Sequence, residues 1–154
     1  MAGAFRVGLR VADVRAAARF YGGLGFEQVG EVPDPDGEPV LVILRRGSAE
    51  LVVDALVGLP FPDTGRERRI QDGPRGLGVV LGLGVDDLDA AYAYCTRAGC
   101  EITCEPMEEA WGERLFTFVD PFGYEWELTV PVPGGAPADP TAAVQASWFG
   151  GAGQ

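Results

Sequence analysis

The feature that most restricts the fold of this chain is that one pattern is written twice. The segment "GLRVADVRAAARFYGGLGFEQVGE" (8–31) slides by 74 residues onto "GLGVDDLDAAYAYCTRAGCEITCE" (82–105) without a gap, with nine identities. These are Gly8/Gly82, Leu9/Leu83, Val11/Val85, Asp13/Asp87, Ala16/Ala90, Ala17/Ala91, Gly25/Gly99, Glu27/Glu101 and Glu31/Glu105. Repetition at a fixed offset marks a duplicated supersecondary unit. The match goes beyond shared small residues, because both copies change hydrophobic period at the same point.

Before the shared aspartates the period is two. Val7, Leu9 and Val11 alternate with Arg6, Gly8 and Arg10, as Val79, Leu81, Leu83 and Val85 do with Val80, Gly82 and Gly84, so both segments read as strands. After the aspartates the spacing turns helical, and Val14, Ala17, Ala18, Tyr21 and Leu24 share one face, matched by Leu88, Ala91, Tyr92, Cys95 and Ala98. Asp13 and Asp87 are expected N-caps, their carboxylates accepting from free first-turn N–H groups. Gly25 and Gly99 suit the left-handed position that ends a helix.

Each copy continues in three extended runs, "FEQVGEV", "PVLVILRR" and "AELVVDALV" in the first and "CEITCEP", "RLFTFVD" and "YEWELTV" in the second. The expected fold is therefore α+β, two βαβββ repeats. At 154 residues and 47% hydrophobic, the chain has room for one self-sufficient domain. That domain is placed at 1–132, with units at about 5–57 and 77–131 and a solvated linker at 58–76. The extension 133–154 opens on proline and glycine. Asp139-Pro140 then predicts a short helix that buries Val144, Trp148 and Phe149 before a glycine tail.

Charge narrows the partners. A formal net charge of −11 repels nucleic acid and anionic lipid and favours solubility, so neither DNA, RNA nor a membrane is an expected partner. No uncharged apolar run reaches membrane-spanning length and "MAGAFRVGLRVADV" has no long apolar core, which predicts a cytoplasmic protein. The three cysteines, Cys95, Cys100 and Cys104, are odd in number and crowded. They read as buried free thiols, since a structural zinc site needs four ligands.

The stretches "LRVADVRAAARFYGGLGFE" and "WGERLFTFVDPFGYEWEL", together with the repeat over residues 5 to about 131, resemble the vicinal oxygen chelate superfamily, which includes glyoxalase I, bleomycin-resistance proteins and extradiol dioxygenases. The resemblance implies paired βαβββ units forming a curled mixed sheet around a cavity. It also implies four inward side chains, on the first and last strand of each unit, that hold a divalent metal. Carried over, the last ligand place is Glu127, and the first-strand places are Arg6 and Val80. The fourth falls near Leu51 or Val53, with Glu50 and Asp54 available if the register differs by one residue. Neither arginine nor valine binds a cation and there is no histidine, so neither a metal nor another cofactor is expected.

Strand parity then places Arg6, Gly8, Arg10, Val80, Gly82 and Gly84 opposite the helix-packed residues, and on the final strand sets Glu125, Glu127 and Thr129 apart from Trp126, Leu128 and Val130. Trp111 and Arg114 stand where a loop enters a strand, and the tryptophan offers a stacking wall or a packed lid. The parity of Phe116 and Phe118 stays open. Arg6 is expected to form an ion pair with Glu127, because a buried charge without a partner is costly.

The resulting expectation is a small-molecule binding protein of the bleomycin-resistance type, for an antibiotic among other ligands, with a site bounded by Arg6, Arg10, Trp111, Arg114 and Glu127. The alternative is a glyoxalase- or dioxygenase-like enzyme using Glu127 with a hard cation or as general base. A module with a filled cavity is the third reading. A homodimer with exchanged units buries the same faces as a closed monomer, and both arrangements stand.

Overall fold

The structure is a computed structural model that describes residues 5–59 and 63–150. The chain divides after Arg75 into two compact units. The first contains β1 (Arg6–Val11), α1 (Val14–Gly23), β2 (Glu27–Pro33), β3 (Pro39–Arg46), β4 (Ala49–Ala55) and α2 (Thr64–Asp72). The second contains β5 (Val80–Gly84), α3 (Leu88–Arg97), β6 (Glu101–Glu109), β7 (Glu113–Val119), β8 (Glu125–Pro131) and α4 (Pro140–Phe149). Each unit holds one four-stranded mixed sheet, ordered β1-β4-β3-β2 and β5-β8-β7-β6. In both, the first and last strands run parallel and the other pairs antiparallel. The α+β class and the doubled βαβββ unit stand as expected from the sequence.

The shared aspartates cap as expected. Asp13 accepts from the Ala16 N–H at 2.8 Å and Asp87 from the Ala90 N–H at 2.9 Å. Both helices end in the same paired hydrogen bonds. Gly25 and Gly99 have φ of +91° and +78°, and their N–H groups donate to Gly22 and Thr96. Phe26 and Cys100 follow, donating to Tyr21 and Cys95, which satisfies carbonyls the helix leaves without partners.

Each sheet buries one face. In the first unit Leu9, Val11, Val42, Leu44, Leu51 and Val53 join Val14, Ala17 and Tyr21 of α1 in the core. In the second, Phe116, Phe118, Trp126 and Leu128 are buried with Leu88 and Cys95 of α3. Phe116 stacks on Phe118 with ring centroids 5.6 Å apart and meets Tyr92 edge-on at 5.3 Å, which settles the parity left open by the sequence.

The linker 58–76, of which 60–62 lie outside the described residues, buries no side chain in its helical part but is not without regular structure. It holds α2, whose N-cap Asp63 accepts from Gly65 and Arg66 at 2.9 and 3.1 Å. The helix "TGRERRIQD" has no apolar stripe, so periodicity could not announce it. Two expectations need correction. First, only Cys95 is buried; Cys100 and Cys104 are partly exposed. Second, α4 forms with Asp139 as its cap, but Trp148 and Phe149 are 64% and 71% exposed rather than buried. The glycine tail at 151–154 lies outside the described residues. No helix among the described residues is long and apolar enough to cross a membrane.

Candidate functional site

The first and last strands of each unit set the register of the candidate site. Lateral partners in a parallel ladder point to the same face of the sheet. On β1 and β4 the pairs are Arg6 with Glu50, Gly8 with Val52 and Arg10 with Asp54. Leu51 and Val53 point the other way into the core, so neither holds the fourth ligand place carried over from the resemblance. On β5 and β8 the pairs are Val80 with Glu125, Gly82 with Glu127 and Gly84 with Thr129. Val80 stands 74 residues after Arg6, but Glu125 stands 75 after Glu50, so the second copy carries one extra residue between its first and last strands. The positional counterpart of Glu127 is therefore Val52.

In the first unit the polar face is consumed by ion pairs. The Arg6 Nε lies 2.5 Å from Glu50 Oε1, and the Arg45 Nη2 lies 2.9 Å from Glu50 Oε2. Glu50 is only 4% exposed, and the hydrogen bonds from Arg45 and then Arg6 hold its carboxyl below the usual range. The Arg6 guanidinium thus bonds its lateral neighbour within the first unit. Arg10 Nε stands 3.7 Å from Asp54 Oδ2, and its Nη1 donates to the Ala55 carbonyl at 3.5 Å. Burial pushes the Asp54 carboxyl up, with Arg10 opposing.

In the second unit the corresponding face keeps a carboxylate without such a clamp. Glu127 is half-buried beside Thr117 of β7 and Gly82 of β5. Burial pushes its carboxyl up, and the negative charges of Glu113 and Glu109 push it further. Glu109 and Glu113 are lateral partners at the mouth of the β6–β7 hairpin, and Trp111 occupies its turn. The Trp111 Nε1–H donates to Glu113 at 2.8 Å, fixing the indole beside the acidic face. A side-chain carbon added at Gly82 or Gly84 would meet no described atom within 4 Å. Small residues there leave open space next to Glu127.

Arg114 is not part of this face. Its lateral partner is Val130, which gives it the parity of Phe116 and Phe118, and its Nη1 reaches Asp89 of α3 at 2.9 Å. Strand alternation separates it from Glu127 although Trp111 is only three residues away. Sequence reasoning also passed over Asp120, 4% exposed in the "DPFG" turn. Its Oδ1 accepts from the Phe122 and Tyr124 N–H groups at 2.9 and 3.0 Å, and its Oδ2 accepts from Trp126 Nε1 at 2.9 Å. The signal was in the turn itself, since an aspartate opening such a turn accepts from the backbone two residues on.

A divalent metal does not fit this donor set. Arginine and valine stand at the first-strand places, Glu50 is held by two guanidinium groups, and no cluster of three or more metal-ligating side chains exists among the described residues.

Residues 3–128 match the family model described as the Glyoxalase/Bleomycin resistance protein/Dioxygenase superfamily. An uncharacterised protein of Mycobacterium bovis is 30% identical over 128 residues, covering 80% of each chain. Among solved structures, TnmS3, an antibiotic binding protein from Streptomyces sp. CB03234, is similar with a TM-score of 0.58 at 24% identity, over 85% of this chain and 97% of that one. TioX from Micromonospora sp. ML1 is similar with a TM-score of 0.62 at 22% identity, over 85% of this chain and all of that one. At those identities the structural likeness concerns the fold.

Proposed function

The chain belongs to the glyoxalase/bleomycin resistance protein/dioxygenase superfamily, and from that premise we propose that it binds a small organic molecule, without metal chemistry, on the face of the second sheet that carries Glu127. The observation that carries the reading is the half-buried Glu127 beside the open positions of Gly82 and Gly84, with the Trp111 indole anchored on Glu113 nearby. A carboxylate face with an adjoining aromatic ring suits a cationic or aromatic ligand. A neighbour of the same fold, TnmS3, is an antibiotic binding protein, and an antibiotic is the ligand class proposed here. Arg6 and Arg10 are paired with Glu50 and Asp54 within the first unit. Arg114 serves α3 instead.

A second reading is favoured by one observation, the raised proton affinity of Glu127, which suits a general base. One experiment separates the two. Bleomycin-type and mitomycin-type compounds are added while the melting temperature and tryptophan fluorescence are followed, because a ligand selective for the folded state must raise stability. The expected result is a saturable rise in melting temperature that Glu127→Gln weakens, and a fluorescence change that Trp111→Phe removes. Turnover of a methylglyoxal–glutathione adduct or a catechol, stimulated by Mn²⁺, Ni²⁺ or Fe²⁺ and lost in Glu127→Gln, would sink the binding reading and install the enzyme.

A further inference from the structure

The end of α3 brings two thiols together. Cys95 lies in its last turn and Cys100 just past Gly99, and the Cys100 N–H donates to the Cys95 carbonyl at 3.0 Å. Such a main-chain bond places two Cα atoms within the span a disulfide bridges, roughly 4.4–6.8 Å. Both cysteines are free. Their exposures differ, with Cys95 buried and Cys100 reached from solvent.

We infer that Cys95 and Cys100 form an oxidation site, a paired dithiol that a small-molecule disulfide such as glutathione disulfide converts to an intramolecular bridge. Cys100 is the thiol that solvent reaches and its proton affinity is lowered, whereas Cys95 is buried and raised, so Cys100 is the first nucleophile. Its thiolate attacks one sulfur of glutathione disulfide, forming a mixed disulfide and releasing one glutathione thiolate. Cys95 then loses its proton, attacks the Cys100 sulfur and expels the second glutathione. Two protein thiols are oxidised and one glutathione disulfide is reduced to two thiols. The bridge ties the last turn of α3 to the start of β6. Cys104 takes no part, its sulfur lying 3.5 Å from that of Met107.

The full chain is incubated with glutathione disulfide, quenched with N-ethylmaleimide and cleaved with trypsin. Arg97 lies between the two cysteines, so a bridge joins peptide 76–97 to peptide 98–114. The expected product is that linked pair with two hydrogens lost, formed equally in Cys104→Ala and reversed by dithiothreitol. Early time points show glutathione on peptide 98–114 and none on 76–97, and Cys95→Ser stops at that adduct. If the buried serine prevents folding, the early time points of the unaltered chain carry the same information. A stable glutathione adduct on the unaltered chain, a bridge that disappears in Cys104→Ala, or two thiols that stay alkylatable would each overturn the inference.

Discussion

Arg6 and Glu50 face each other across the parallel ladder of β1 and β4, with guanidinium Nε and carboxylate Oε1 2.5 Å apart. The same row of the second unit sets Val80 beside Glu125. Two copies of one pattern have thus diverged in charge at a matched position. In the first copy the face is internally neutralised; in the second the carboxylate of Glu127 stands beside further acid rather than base.

Removing Glu50 should act through pH. Its folded-state pKa lies below the ordinary value of roughly 4.3, so its contribution to stability is present above that value and lost as pH falls through the folded-state pKa. Glu50→Gln is therefore expected to melt below the parent at pH 7, with the gap closing as pH is lowered under about 4. Melting curves from pH 7 to 3 on both proteins test this, and a gap independent of pH would contradict it.

Glu127 should behave with the opposite sign. A carboxyl raised in the folded state stabilises below its ordinary pKa, and that contribution is lost as pH rises through the folded-state value. Glu127→Gln is expected to raise the melting temperature at pH 7, by no more than roughly 3 °C because solvent screens a half-exposed group. At pH 4 the two proteins should converge.

Asp120 is the larger structural risk. Asp120→Ala leaves the Phe122 N–H, Tyr124 N–H and Trp126 Nε1–H without their acceptor, a loss of about 3–5 kcal/mol. Asp120→Asn keeps one carbonyl oxygen and should lose less. Urea denaturation of the three proteins ranks them, and equal midpoints would refute the role assigned to this side chain.

The two caps offer an internal control. Asp13→Ala and Asp87→Ala each remove one acceptor from an equivalent helix start, and each should cost about 1 kcal/mol. The prediction is that the two losses agree, measured by chemical denaturation. A several-fold difference would mean that the repeat is equivalent in pattern but not in local energetics.

Much of the candidate site was within reach of the alternating pattern. The parities of Glu127, Trp126 and Leu128 followed from β8 alone, because side chains on a strand must alternate. Arg114 was misplaced because nothing in "EEAWGERLF" marks where the turn ends and alternation begins. The fourth ligand place was missed for a related reason: a single added residue between distant strands leaves the local pattern intact while shifting the lateral partner by one.

By itself, the sequence determined what depends on neighbours along the chain: the doubled βαβββ order, the capping aspartates, the glycines that end α1 and α3, and which strand faces are apolar. These follow from the 2.0 and 3.6 residue periods and from backbone sterics, which act over a few residues. Only the tertiary structure decided which charges meet. Glu50 lies 44 residues from Arg6, and its pairing depends on the lateral register of β1 against β4, together with the short reach from Arg45 on β3. Ion pairing falls off within a few ångströms, so a shift of one residue turns an inward carboxylate outward and gives its arginine another partner. That distance dependence is why Glu50, the lateral neighbour on β4, neutralises Arg6.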